Sequence, residues 1–399
     1  MRLVPPAPNL YKKVHVMKAV LPVLTAITLS LFTYKPMAQN QLATQVKSAL
    51  KEVPGEKLSI GGAVRLNYSY KEYDEQSKKT LGSLDFELFR LNVAGEYGQF
   101  KVSAQYRWYS EFAVPEYAYI SYTPSDRSEL QLGLNKVPFG ILPHSSFGYW
   151  ESVLYHIGLE DDNDIGLKYS YSDQLWEIDL GFYKNAELSS SNHARYSFDP
   201  VTDAGENEYN RETNQFNVRV QKNIGRTSVG FSGQHGGLYN EQTLDVGKHG
   251  AYALHLTHAL ERWKFQFEGG SYFFEPKNQQ GQDDNKILFG AFENAFYVAS
   301  EADFYLINVS RNFEAPIGFI EKLNCYNNYG IVRPKLYSIG VGDKTIQNLL
   351  GCSVGIDAVT SYIELISGKN SSFVNGPGVG LVDDGGWSHR VNINIGYYF

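Results

Sequence analysis

Side chains of opposite character alternate, one by one, through stretch after stretch of this sequence, and few folds accept that pattern. In 58–70, Leu58, Ile60, Val64, Leu66, Tyr68 and Tyr70 share one parity, while Ser59, Gly61, Ala63, Arg65, Asn67 and Ser69 share the other. Successive side chains of a strand point to opposite faces, so the segment reads as a strand with one apolar and one polar side. The pattern recurs. Phe100, Val102, Ala104, Tyr106 and Trp108 alternate with Lys101, Ser103, Gln105 and Arg107. Leu130, Leu132 and Leu134 alternate with Gln131, Gly133 and Asn135, and Ile165, Leu167, Tyr169 and Tyr171 with Asp164, Gly166, Lys168 and Ser170. The same holds for 176–182, 215–221 and 263–268.

A soluble sandwich also alternates, but it hides its apolar face in a core and uses shorter strands. Here Tyr and Trp stand at the strand ends of the apolar face, where a membrane interface places them. No apolar run of about 18 residues follows the N-terminal region, which excludes helical spanning. With 29 Tyr, 23 Phe and 37 Gly, the chain reads as all-β: a transmembrane antiparallel β-barrel, one face on lipid and one on a wet lumen.

Short turns at Tyr97-Gly98-Gln99, Thr123-Pro124-Ser125-Asp126, Ser172-Asp173-Gln174 and Asn223-Ile224-Gly225-Arg226 alternate roughly with longer polar gaps at 71–82, 136–162, 185–210, 237–248, 275–286 and 370–386. That is the rhythm of a barrel with loops on one side. The count is about sixteen strands over 58–399, with 313–370 hardest to divide. In 83–97 the parity switches near Leu88, which suggests a bulge or a strand starting at Phe89. Residues 115–124 and 303–312 are apolar on both faces, as contact with a plug, an inward loop or a neighbouring subunit would require.

The N-terminal residues read as an export signal over 1–38: Lys18, an apolar run from Ala19 to Phe32, and Ala38 before Gln39. Met17 is an alternative start. Residues 39–57 form a periplasmic leader in which Leu42, Val46, Leu50 and Val53 suit a short amphipathic helix. Removing 1–38 takes away five basic residues and no acidic ones, so the formal charge moves from −7 to −12. This argues against nucleic acid as a partner. At the other end Val391, Ile393, Ile395, Tyr397 and Phe399 alternate up to a terminal aromatic, similar to the segment that the outer-membrane assembly machinery reads. Cys325 and Cys352 are either a cross-strand disulfide or two separate thiols. They have no C-x-x-C or zinc spacing, and the sequence suggests neither a metal nor a cofactor.

Several stretches resemble the phosphate-selective porin O and P family of Gram-negative bacteria. They are Phe89-Arg90-Leu91-Asn92-Val93-Ala94-Gly95 with Phe100-Lys101-Val102, and Leu132-Gly133-Leu134-Asn135-Lys136-Val137-Pro138-Phe139-Gly140. Phe147-Gly148-Tyr149-Trp150-Glu151 and Asp164-Ile165-Gly166-Leu167-Lys168-Tyr169 add to them. The likeness is clearest over 58–184 and thin through 185–370. It implies a sixteen-stranded, usually trimeric barrel in the outer membrane, among lipid and lipopolysaccharide, with its third loop, 136–162, folded inward. Leu88, Phe89 and Asn92 stand where phosphate-specific members carry further basic residues. The solute class therefore stays open between anions such as phosphate and other small hydrophilic solutes.

Passive conduction needs a constriction whose charges favour or reject solutes, and no catalytic group. Parity turns Arg65, Lys101, Arg107, Lys168, Arg219 and Lys264 to the lumen, together with Glu177, Asp179 and Glu268. The resemblance adds Arg90 and Lys136. For any one of these the plain alternative is a solvated wall residue with no selective role. His255 and His258 point to opposite faces of a strand and cannot share an ion. Ser145-Ser146 beside His144 makes no nucleophile elbow, so an enzyme is not expected. The reading is a diffusion channel; the rival is a structural or adhesive barrel with a blocked lumen.

Overall fold

A computed structural model describes residues 57–188, 193–313, 318–335, 340–383 and 385–399. The export segment 1–38 and residues 39–56 of the expected leader lie outside the described residues, and Lys57 already belongs to the first strand. The chain divides into two compact units, Met1–Leu58 with Glu96–Gly98, and Ser59–Gly95 with Gln99–Phe399. Of the first only Lys57, Leu58 and Glu96–Gly98 are described. The second carries the site.

In chain order the strands are β1 (Lys57–Lys71), β2 (Ser83–Tyr97), β3 (Phe100–Tyr109), β4 (Ala113–Ser125), β5 (Ser128–Lys136), β6 (Asn163–Ser172), β7 (Trp176–Ala186), β8 (Asp199–Pro200), β9 (Asn210–Ile224) and β10 (Thr227–Asn240). Then follow β11 (Val246–Leu260), β12 (Trp263–Glu275), β13 (Lys286–Ala291), β14 (Asn294–Ala299), β15 (Glu301–Phe313), β16 (Lys322–Pro334), β17 (Thr345–Ile356), β18 (Val359–Lys369), β19 (Gly378–Val379) and β20 (Ser388–Tyr398). Sixteen of them close into an antiparallel barrel, each beside its neighbour in sequence, with β20 against β1. The seam pairs Ala63 with Tyr398 through Lys71 with Arg390. Closure removes the free edge that an open sheet would present. The other four strands form a separate sheet in the order β19-β14-β13-β8.

The alternation sets the two faces. Val64 and Leu66 are each 39% exposed on the outside, while Arg65 between them is 9% exposed. At the other side of the seam Asn392 and Asn394 are buried, whereas Ile395 and Tyr397 face outward. Exposed apolar side chains such as Ile120, Leu132, Phe216, Leu254 and Ile307 continue this outer face from strand to strand.

Parity breaks in two strands. In β2, Phe86 and Phe89 are exposed while Leu88 is fully buried and Glu87 meets Arg65, so two successive side chains turn inward. In β4, Glu116 is the extra residue between the Tyr117–Gln105 and Pro115–Tyr106 pairs. Strand β4 runs on to Ser125, which moves the turn expected at 123–126 to Asp126–Arg127.

Turns at 126–127, 173–175, 225–226, 261–262 and 357–358 lie on one side, and the longer connections after β1, β5, β7, β12 and β18 leave from the other. Two expected gaps differ. The gap 237–248 is mostly strand, with only 241–245 between β10 and β11. The gap 275–286 is the start of a longer connection that contains the β13–β14 hairpin. Cys325 and Cys352 sit opposite one another on β16 and β17 and form a disulfide.

An apolar core lies inside the ring. It joins Phe139, Val153, Leu154 and Ile157 of the third loop to Leu238, Tyr272, Phe304, Leu306 and Val332 of the wall and to Ile287, Phe289 and Val298 of the small sheet. This accounts for the double-sided apolar stretch at 303–312: Tyr305 and Ile307 face outward, and Phe304 and Leu306 pack on the inward loop. In 115–124, Tyr117 and Tyr119 stand ring to ring, 5.9 Å between centroids.

Candidate functional site

The third loop, 137–162, leaves β5 and returns to β6 through a neck closed by the Val137 N–H on the Asp162 carbonyl, 2.9 Å. Between these points it runs inside the barrel, where its main-chain groups lose water and need partners. Lumen-facing polar side chains on seven wall strands between β9 and β18 supply them. Arg219 of β9 donates from Nε to the Gly140 carbonyl, 2.8 Å, and Ser232 of β10 accepts from the Gly140 N–H, 3.0 Å. Glu268 of β12 accepts from the Ile141 N–H, 3.2 Å, and Asn308 of β15 donates to the Ser145 carbonyl. Asn328 of β16 accepts from the Phe147 N–H, 3.4 Å, and Gln347 of β17 donates to the Glu151 carbonyl, 2.8 Å. Glu364 of β18 takes the Tyr149 and Trp150 N–H groups, 2.7 and 3.2 Å.

The loop is thus hung on the β9–β18 wall and leaves a cavity of about 620 Å³ facing β1–β4. Three guanidiniums stand on that near wall: Arg65, Arg90 and Arg107. Arg65 pairs with Glu87 at 2.6 Å, and Arg107 pairs with Glu116. Glu87 also accepts from the Tyr149 hydroxyl of the loop tip, 2.5 Å, and from Asn394 of β20. Arg90 lies 5.4 Å from the Tyr398 ring centroid and has no ion pair among the described residues. Aromatic faces complete the lining. Arg65 stacks over Tyr149 and Arg107 over Tyr196, at 5.2 and 4.4 Å, distances at which the ring quadrupole attracts a cation.

The loop side is acidic. Glu151 and Asp161 border the cavity beside His144. Asp161 is bound by Lys136 and by the Tyr196 hydroxyl. Burial acts to raise its pKa, but Lys136 and His144 outweigh it and hold the carboxyl below its ordinary range. Glu151 is pushed well up by burial and by Glu160 and Asp161 nearby. His144, Glu151 and Glu160 come close enough to share an ion. Glu160, however, is already satisfied by the Ser146 N–H and hydroxyl and the Ser152 N–H, at 2.9, 2.9 and 3.0 Å.

Of the eight basic residues singled out from the sequence, Arg65, Arg90 and Arg107 line the cavity together. Lys136 sits at the neck against Asp161 and the Pro143 carbonyl, 3.1 Å. Lys168 donates to the Lys136 carbonyl, 2.9 Å. Arg219 is fully buried as a loop anchor and also meets Glu177 and Asp179 at 3.3 and 3.2 Å. Lys264 places its ammonium 5.5 Å from the Phe147 ring, and Lys101 is exposed next to the 98–99 turn. Glu87, Glu116, Tyr149, Tyr196 and Tyr398 were not foreseen. For Tyr398 the signal was present: it stands on the polar parity of the last strand.

No family model matches the chain, and no curated protein does. Among solved structures, the anion-selective porin from Comamonas acidovorans is 13% identical with a TM-score of 0.58, covering 86% of this chain and 100% of that one. The trimer form of OmpT, an outer membrane protein of Vibrio cholerae, is 10% identical at 0.55, covering 86% and 99%. The outer membrane channel DcaP of Acinetobacter baumannii is 13% identical at 0.53, covering 86% and 98%. At these identities the likeness is one of fold: the closed sixteen-stranded barrel of bacterial porins.

Proposed function

We propose that this barrel is an outer-membrane channel through which small hydrophilic solutes or ions diffuse passively. One observation carries the reading. The third loop is fastened by its backbone to the far wall, and the space it leaves is bordered by three guanidiniums, by the loop carboxyls Glu151 and Asp161, and by aromatic side chains. A solute moving down its gradient meets the arginines on one side and the loop carboxyls on the other. Charges fixed on opposing walls of a narrow wet passage set a transverse field, which orders water and sorts solutes by charge and dipole.

The surroundings follow from the same reading. The exposed apolar belt sits in outer-membrane lipid beside lipopolysaccharide, residues 1–38 serve export, and the final strand is read by the assembly machinery. A trimer is the proposed assembly, since one structure of similar fold is a trimer form. An anion preference is proposed from the arginine wall; the similar fold of an anion-selective porin is in keeping with it.

A planar bilayer holding the purified protein tests the reading: stepwise ion conductance is expected, and its absence would overturn it. A second reading, a barrel with a blocked lumen and a structural or adhesive role, draws on the apolar core that the third loop and small sheet build inside the ring. Swelling of liposomes in small sugars separates the two, because a blocked barrel admits none.

A further inference from the structure

Outside the cavity lining, at the neck of the inward loop, three carboxylates converge. Asp162 ends the loop and Asp164 follows in β6, two positions on and therefore on the same face. Asp199 arrives from β8, in a different loop. Their ligand oxygens all lie within 4.8 Å of one another. The three residues are 6%, 1% and 1% exposed. Oδ1 of Asp162 and Oδ1 of Asp164 are buried with no hydrogen-bond partner among the described residues. Such oxygens are costly unless a proton or a cation satisfies them.

The surroundings deepen the negative field. Glu187 and Glu212 both act on Asp162. Glu187 already accepts the Tyr196 and Ser197 N–H groups, at 2.5 and 2.9 Å, and Glu212 stands 3.4 Å from Nδ1 of the buried His249. Arg195 pairs with Asp199 at 3.0 Å, which offsets one charge of five.

We propose that Asp162, Asp164 and Asp199 hold one divalent cation of calcium type. The donor set is carboxylate oxygen, which selects hard cations and lacks the thiolate or imidazole that zinc prefers. Magnesium gives up its water reluctantly, whereas calcium accepts an irregular set of protein oxygens in a closed site. The ion ties the end of the inward loop to β6 and to the 187–209 connection, and so fixes the edge of the constriction.

The test uses the full chain, folded in detergent, stripped with EGTA and titrated by calorimetry with calcium chloride and separately with magnesium chloride. One calcium per chain is expected, with magnesium at least tenfold weaker. Asp164→Asn and Asp199→Asn should each weaken calcium at least tenfold, while Asp126→Asn, in an exposed turn, leaves binding unchanged. Calcium should raise the midpoint of thermal unfolding in the wild type and not in Asp164→Asn. No binding to the wild type would overturn the proposal without recourse to variants. Equal affinity for magnesium, or binding that survives both Asp→Asn substitutions and hence belongs to surface carboxylates or lipid, would overturn it too.

Discussion

Arg90 differs from the two guanidiniums beside it in what surrounds its charge. Arg65 and Arg107 each face a carboxylate, Glu87 and Glu116, whereas Arg90 faces the Tyr398 ring. Deleting a whole pair leaves the local charge unchanged; deleting Arg90 lowers it by one. At about 7 Å in water a unit charge is worth about 0.6 kcal/mol, or roughly a threefold change in preference. Arg90→Ala should therefore lower the anion-to-cation permeability ratio about threefold, read as a reversal potential across a salt gradient. The double variant Arg65→Ala/Glu87→Ala should move it far less, and equal shifts would refute the assignment. Parity places Arg65 and Arg107 on the lumen side without a structure. It misses their partners for one shared reason: Glu87 lies at the break in β2 and Glu116 is the bulged residue of β4. A side chain at such a break escapes the period that makes the others legible.

At the scale of elements, the inward loop depends on Gly140. Its φ is +60°, and a Cβ placed there would clash with the Glu268 carboxylate. Glu268 is itself held by the Ile141 N–H, so it cannot withdraw freely. Gly140→Ala combines the left-handed backbone penalty, about 1–2 kcal/mol, with this clash. The barrel should still form, since its ladders do not involve the loop, but the first anchor of the loop should loosen. Noisier and altered single-channel currents are expected; currents identical to wild type would show that the anchor is dispensable. Strand existence is legible wherever one face meets lipid, because lipid enforces the period. It is less so in 237–248, where Gly236 and Gly237 look like a loop. A Cβ on Gly236 would clash with Nε2 of His249, so these glycines make room in a wall. The β13–β14 hairpin escaped notice because its Leu288, Phe289 and Val298 are buried inside the ring, where nothing enforces alternation.

For the whole molecule, the question is what keeps the loops folded into the ring. His156, in the short 3₁₀ turn Tyr155–Ile157 of the third loop, joins several of them. It stacks on Phe373 at 4.7 Å between centroids and meets Phe198 and Phe296 edge-on, so that one imidazole touches three other connections. The ring is 4% exposed, its Nδ1 has no partner among the described residues, and burial lowers its pKa to about 3. An undocked loop takes up this proton below about pH 6.5, whereas the docked loop takes it up only near 3. Docking is therefore favoured by the neutral ring above pH 6.5 and loses that advantage progressively as the pH falls toward 3. Protease cleavage within 137–162 should rise as the pH drops from 7 to 4.5. Carboxyl groups titrate over part of the same range, so the informative comparison is His156→Phe, which keeps the ring contacts and removes the proton site. The increase should be largely absent in that variant. An undiminished increase would place the acid sensitivity among the carboxylates and leave the histidine as packing alone.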